Sequence, residues 1–328
     1  MRVVILGGGS WGTALAHLLA ARGCGVRLWL RDARVAASIN LDRQNPRYLP
    51  ELTLHPGVQA CPDPAEAFDG AEVCVLAVPC QNLRLVLRDL AGFFRPGLPA
   101  ICVSKGLELA TGKTMSTLVA EELPQARYAI LSGPSFAVEV AKGKPSAVVL
   151  ACAEKTLAES LRRLFSTPSF RVYSSADVPG VELGGALKNI IAIAAGISDG
   201  LRLGHNARAA LLTRGLAEMS RLGVAMGALP GTFMGLSGMG DLVLTCTGDL
   251  SRNRQVGLGL AAGKNLEQIR AEMHMVAEGV KTTEAAVALG ETLGVDLPVA
   301  SAVRAVLAGR ASAAETVRLL MERELKNE

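Results

Sequence analysis

Lys188 is the residue in this chain best placed to do chemistry. Between Val181 and Ile197 the only charged side chains are Glu182 and Lys188. Gly184 precedes Lys188 by one helical turn and Ala192 follows by one, so small neighbours on that face leave room for a ligand. An ammonium in apolar surroundings is costly; desolvation lowers its pKa, and such a lysine can exchange protons near neutral pH. The helical period alone is equally consistent with a lysine that snorkels to solvent from the rim of a helix.

A second set follows the glycine-rich run Gly235-Leu236-Ser237-Gly238-Met239-Gly240-Asp241: the segment Ser251-Arg252-Asn253-Arg254. Ser251 has the type and place of a helix N-cap, which puts Arg252 and Asn253 in a first turn. Backbone donors, the helix dipole and a guanidinium fork then meet on one anion. An ordinary capped turn with exposed arginines would read the same way. Lys105, in Ser104-Lys105-Gly106-Leu107-Glu108 directly after a strand-like run, can hold a substrate oxygen or phosphate, or stand as a solvated loop lysine.

A third set lies at the N-terminus, where Val3-Val4-Ile5-Leu6 runs into Gly7-Gly8-Gly9-Ser10-Trp11-Gly12. This is G-x-G-x-x-G between a strand and a helix. Gly7 permits the tight turn, Gly9 lets the backbone approach a pyrophosphate, and Gly12 lets the helix pack closely. The exposed amides at the helix start would bind the phosphates. Ala14, Leu15, Leu18 and Leu19 share one face of that helix, and Gly23 stops it. Val26, Leu28, Trp29 and Leu30 form the next strand, after which Arg31-Asp32 occupies the ribose-reading place. A carboxylate there accepts from a 2′-hydroxyl and an arginine meets a 2′-phosphate. Arg31 comes first, which points to NADPH and leaves NADH open.

The elements that must position these residues are legible too. Strand-like runs at Glu72–Val78, Ala100–Ser104, Tyr128–Ser132, Ser146–Leu150 and Phe170–Tyr173 alternate with helical segments such as Leu83–Phe94 and Glu154–Phe165. This alternation predicts an α/β fold with a doubly wound, mainly parallel sheet whose ligands bind at the carboxyl ends of the strands. Beyond about residue 180 strand signals fade into alanine- and leucine-rich helical segments. We expect a dinucleotide-binding domain over 1–180 and an all-helical, substrate-binding and catalytic C-terminal domain over 181–328.

Composition narrows the classes. The 328 residues are 50% hydrophobic and 20% charged, enough for substantial cores, and the net charge of +4 is too small to argue for nucleic acid. Seven scattered cysteines without a C-x-x-C pattern suit a reducing cytoplasm, with Cys74, Cys102 and Cys152 acting as small hydrophobes in strands. His274 and Glu278 lie four apart, but two side chains make no metal site, so no metal is expected. Gly106–Thr114 imitates a phosphate-binding Walker loop but carries five residues between its glycines where four are required. Arg2 and the apolar run after it imitate a secretory leader until the glycines interrupt. No apolar run approaches the roughly 20 residues that span a bilayer, so no membrane insertion is expected.

Together these segments resemble the bacterial NAD(P)-dependent glycerol-3-phosphate dehydrogenases almost end to end: GGGSWGT at 7–13, SKGLE at 104–108, SGPSFA at 132–137, ALKNIIAIAAGISDGL at 186–201, GLSGMGDLVLTCTGDLSRNRQVG at 235–257 and VAEGVKT at 276–282. The resemblance implies a Rossmann-type N-terminal domain and a helical C-terminal one. It implies reversible reduction of dihydroxyacetone phosphate to sn-glycerol 3-phosphate with NAD(P)H, feeding glycerophospholipid synthesis in the cytoplasm. Lys188 would donate and accept the proton. Gly7, Gly9 and Gly12 carry the fingerprint; Ser10, Trp11, Arg31, Lys105, Ala137, Arg252, Val276 and Glu278 would contact the dinucleotide. Lys105, Gly133, Ser135, Lys188, Asp241, Ser251, Arg252 and Asn253 would line the substrate site. The family often has serine after its Ala-Val-Pro, where this chain has Cys80, a position expected to aid packing or backbone contacts near the cofactor. A homodimer is the expected assembly. The rival readings are a two-domain dehydrogenase of the 6-phosphogluconate or β-hydroxyacid type, and a non-catalytic redox sensor that would have no use for an isolated charge at Lys188.

Overall fold

A computed structural model describes residues 1–273 and 277–322. The chain forms two compact units, Met1–Lys105 with Thr114–Val181, and Gly106–Lys113 with the described residues from Glu182 onward. A single cut near residue 180 therefore does not account for Gly106–Lys113, an excursion whose Leu107 is fully buried in the core of the second unit.

The first unit is an eight-stranded sheet: β1 Arg2–Leu6, β2 Gly25–Trp29, β3 Val58–Cys61, β4 Val73–Leu76, β5 Pro99–Cys102, β6 Arg127–Ser132, β7 Ser146–Ala151 and β8 Phe170–Ser175. Its order is β3-β2-β1-β4-β5-β6-β7-β8, parallel throughout except where β6 meets β7. Alternation along β1 shows why helices are needed on both faces. Val3 and Ile5 point into one core, with Leu15 and Leu19 of α1 (Ser10–Ala21), Ile39 of α2 (Ala33–Asp42) and residues 155–165. Val4 and Leu6 point into the other, with Phe68 of α3 (Pro64–Phe68), Leu83 and Leu87 of α4 (Cys80–Leu90) and Leu118 of α5 (Met115–Glu122). The short α6 (Ala137–Ala141) and α7 (Lys155–Phe165) complete the layers. Cys74, Cys102 and Cys152 are buried strand or strand-end residues, and Cys80 is buried at the start of α4. The doubly wound, mainly parallel sheet read from the strand–helix alternation is the architecture observed.

The described residues of the second unit contain helices and turns and no strand. They comprise α8 (Val178–Gly200, which begins in the first unit), α9 (Gly204–Ala225), α10 (Pro230–Phe233), α11 (Asp241–Thr247), α12 (Arg252–Ala261), α13 (Leu266–Glu272), α14 (Glu278–Leu293), α15 (Pro298–Leu307) and α16 (Ala313–Met321). A π-helical turn, Leu236–Gly240, precedes α11. At 23 residues α8 is long and apolar enough to cross a bilayer, contrary to the expectation that no such run exists. Its apolar window is wholly buried inside the protein, as in the central helix of a core. Ile190, Ile191 and Ile193 of α8 anchor the core formed with Leu216 and Met219 of α9, Ala286 of α14 and Val303 of α15.

One buried charge ties two of these helices together. Glu218 of α9 is 3% exposed and accepts the backbone N–H groups of Val299 at 2.6 Å and Ala300 at 3.1 Å, capping the first turn of α15 from a distance. Burial raises its carboxyl to about 7; the two amides and Arg221 pull the other way. A carboxyl raised in the folded state binds its proton more tightly than in the unfolded chain. Stability from this group is therefore greatest below its ordinary value of 4.5 and declines as pH rises towards about 7. Glu218→Gln should flatten this part of the stability profile, by up to about 1.4 kcal/mol per pH unit. Urea unfolding at several pH values checks it; parallel profiles for parent and variant would contradict it.

Candidate active site

The first group of site residues surrounds the strand crossover of the sheet. Strand order reverses between β1 and β4, and the loops leaving those strands touch. Gly7 has φ +116°, and a Cβ there would lie 2.6 Å from the Ala77 carbonyl oxygen. A Cβ at Gly12 would lie 2.0 Å from the Gly7 carbonyl oxygen. Both positions need glycine for close backbone contact. Gly9 differs: a Cβ there would meet nothing within 4 Å, and no side chain of the described residues caps α1. Open backbone at an uncapped helix start, on the carboxyl side of the sheet at its switch point, fits a pyrophosphate. Ser10 and Trp11 form the first turn of this helix, and Trp11 packs against the cluster Ala14, Leu49 and Ala141, as does Ala137.

At the end of β2, Asp32 accepts the amides of Arg34 and Val35 and so caps α2. Desolvation pushes its carboxyl upward, but the two amides and the Arg34 guanidinium together outweigh it and the net pKa is lowered. The exposed guanidinium of Arg31 lies 5.9 Å from the Trp29 ring centroid. Asp32 thus has structural work that Arg31 does not share. Elsewhere in the unit, Lys105 Nζ and Ser135 Oγ both donate to the Gly133 carbonyl oxygen at 2.9 Å, which brings three expected site residues together. Gly133 has φ +139°, and a Cβ there would lie 2.9 Å from Val148 Cα.

The second group lies in the helical unit. Lys188 Nζ donates to Asp241 Oδ1 at 2.5 Å and to Thr245 Oγ1 at 2.7 Å. Lys188 is 6% exposed and Asp241 1%, so this is a buried ion pair and not a lysine snorkelling to solvent. Asp241 and Thr245 stand one turn apart on α11, facing the lysine together. The glycines nearby serve this approach. A Cβ at Gly184 would lie 2.6 Å from the Ser237 carbonyl oxygen, so the small residue before Lys188 admits the π-turn backbone and does not leave room for a ligand. A Cβ at Gly238 would lie 2.1 Å from the Phe233 carbonyl oxygen.

Ser251 is the N-cap of α12: its hydroxyl accepts the Arg254 amide at 3.2 Å. Asn253 Nδ2 donates to Asn189 Oδ1 at 2.9 Å, and Asn253 Oδ1 accepts the Gly279 amide at 3.0 Å. The turn is thereby fastened to the residue next to Lys188 and to the start of α14. Arg252 reaches solvent; crowding by protein atoms lowers its pKa while Glu278, in the first turn of α14, raises it. It remains cationic at neutral pH. Val276 lies outside the described residues. Sequence reasoning missed Thr245 and Asn189. Thr245 stands one turn after Asp241 and Asn189 adjoins Lys188, but only the folded chain shows that they share partners.

The family models for NAD-dependent glycerol-3-phosphate dehydrogenase match at residues 2–158 (N-terminus) and 177–318 (C-terminus). The chain is 58% identical over 330 residues to a glycerol-3-phosphate dehydrogenase (NAD(P)+) of Nitratidesulfovibrio vulgaris, with all of both chains covered. It is 52% identical to that of Geobacter sulfurreducens, covering 100% of this chain and 98% of the relative. The crystal structure of glycerol-3-phosphate dehydrogenase from Coxiella burnetii superposes with a TM-score of 0.95 at 38% identity, covering 98% of this chain and 99% of that one.

Removing one member of the buried pair strands the other charge. Asp241→Asn should cost about 3–5 kcal/mol of stability, and Thr245→Val about 1–3 kcal/mol through a lost buried hydrogen bond. Denaturant midpoints check the order; an Asp241→Asn protein as stable as its parent would contradict the pairing.

Proposed function

The chain belongs to the NAD-dependent glycerol-3-phosphate dehydrogenase family, and from that premise we propose that it interconverts dihydroxyacetone phosphate and sn-glycerol 3-phosphate, with Lys188 exchanging the proton. The observation that carries the reading is the buried ammonium of Lys188, aimed by Asp241 and Thr245 and linked through its neighbour Asn189 to the cationic turn at Ser251–Asn253. A nicotinamide dinucleotide, when bound, supplies the reducing equivalent to the substrate carbonyl carbon. Gly7, Gly9, Ser10, Trp11 and Gly12 would hold it by backbone contact, with Ala137, Lys105, Arg252, Val276 and Glu278 as further contacts.

The chain's own residues do the rest. Lys188 Nζ donates a proton to the carbonyl oxygen as negative charge builds there, and takes it back in the oxidation direction. Its positive charge, fixed in place beforehand, stabilises that oxyanion without reorganisation. Asp241 acts through Lys188 by holding the ammonium in position. Arg252 and the first-turn amides of α12 grip the substrate phosphate, so binding energy remote from the reacting carbon fixes its orientation. Lys105, Gly133 and Ser135, joined at the Gly133 carbonyl, would be further substrate contacts on the strength of the family. The exposed Arg31, which comes first after the strand, supports NADPH as the preferred cofactor, with NADH as the alternative because the cap bonds engage only Oδ1 of Asp32. Cytoplasmic location, a homodimer and supply of glycerol phosphate for phospholipids complete the reading on the strength of the family.

The direct test follows absorbance at 340 nm with dihydroxyacetone phosphate and either reduced cofactor. Oxidation of neither would overturn the reading. Arg252→Ala should raise KM for dihydroxyacetone phosphate by about tenfold or more, and an unchanged KM would remove Arg252 from the phosphate site. Arg31→Ala should reduce the NADPH-to-NADH ratio of kcat/KM by about tenfold; an unchanged ratio would assign cofactor choice elsewhere.

A further inference from the structure

Asp199 lies about three helical turns beyond Lys188, which returns it to nearly the same face of α8. Its side chain is 8% exposed and takes two guanidinium groups. Oδ1 accepts from Arg208 of α9 at 2.8 Å, and Oδ2 accepts from Arg254 of α12, also at 2.8 Å. Arg254 is itself 13% exposed, so the link to α12 is sheltered from water and screened little by salt. The other carboxylate on Arg254, Asp249, is 92% exposed and adds little. The amide of Arg254 is the one that the Ser251 cap accepts, so this residue belongs to the turn that carries Arg252 and Asn253.

The helices joined by this link are in backbone contact. A Cβ at Gly196 of α8 would lie 2.1 Å from the Arg254 carbonyl oxygen. A Cβ at Gly257 of α12 would lie 2.0 Å from the Ile193 carbonyl oxygen, and one at Gly200 would lie 2.5 Å from the Ala261 Cβ. This glycine contact brings the two helices close, with Ala261 set on Gly200 and with Val256 and Leu260 of α12 in the same core as Ile193 and Ile197 of α8. Asn253–Asn189 and Arg254–Asp199 are two polar links from the first turn of α12 to well-separated positions on α8. Two links to separate turns of α8 fix where the first turn of α12 stands along that helix.

We propose that Asp199 is a positioning residue that sets the register of the substrate-phosphate turn, Ser251–Asn253, relative to Lys188. This rests on the reading of that turn as the phosphate grip. Asp199 touches no reacting atom; it acts through Arg254, with Arg208 holding its other oxygen. Misplacing the grip lowers the binding energy spent on orienting a phosphorylated substrate, while the proton-exchanging lysine and its partners Asp241 and Thr245 stay as they are.

The test compares the parent, Asp199→Asn, Arg254→Gln and Arg252→Ala on two substrates, dihydroxyacetone phosphate and dihydroxyacetone, which lacks the phosphate. Asp199→Asn and Arg254→Gln should each raise KM for dihydroxyacetone phosphate by about tenfold, leave KM for the cofactor within about twofold, and leave kcat/KM for dihydroxyacetone within about twofold. Asp199→Glu, which can restore the link, should recover part of the loss. Equal losses on both substrates, or no loss in either link variant while Arg252→Ala raises KM, would overturn the positioning role. If Arg252→Ala itself leaves KM unchanged, the phosphate reading of the turn fails first and the proposal falls with it. Should Asp199→Asn not fold, Arg254→Gln carries the same comparison from the other end of the link.

Discussion

The helical unit depends on one buried ion pair. Lys188 and Asp241 are almost wholly removed from water, and removing either partner would leave an uncompensated charge in the core. Many features around them follow from the need to bring these two groups together. α8 is apolar over nearly its whole length because it is the centre of a core, and its single lysine sits where α11 can meet it. The π-turn before α11 places Asp241 at the helix start, and Thr245 supplies the ammonium with a second acceptor. A charge held this firmly is preorganised, which is what stabilising a developing oxyanion requires.

Close backbone contact is the other recurrent device. Gly184 admits the Ser237 carbonyl, Gly196 the Arg254 carbonyl and Gly238 the Phe233 carbonyl, each at a distance no Cβ allows. In the sheet unit Gly7 and Gly12 do the same at the strand crossover, while Gly9 stays open. Within the glycine loop the same residue type thus has two settings, close packing at Gly7 and Gly12 and open space at Gly9. The difference is visible only in what stands opposite.

This explains what could be read from the chain unfolded. The glycine loop at residues 7–12 was legible because its geometry is local: strand, turn and helix follow one another without help from distant residues. The alternation of strand-like runs with helical segments carried the doubly wound sheet in the same way, while the division of Val3 and Ile5 from Val4 and Leu6 between two cores came only from the folded chain. Lys188 stood out as an isolated charge, but its partners on α11 lie far along the chain and no spacing announces them. Gly184 was misread as room for a ligand because periodicity identifies a face and not what packs on it. The excursion at Gly106–Lys113 was invisible for a related reason: the apolar character of Leu107 says that it is buried, and not in which core. The family's motifs supplied the candidate site residues that local spacing left open.

The most direct measurement of the central claim is chemical rescue of Lys188→Ala in the reduction of dihydroxyacetone phosphate. The account predicts that turnover falls by about three orders of magnitude or more, while the cofactor still binds. It predicts that ethylammonium, entering the space left by the side chain, restores part of the rate in a saturable manner. Near-parental turnover without added amine would contradict Lys188 as the proton-exchanging group.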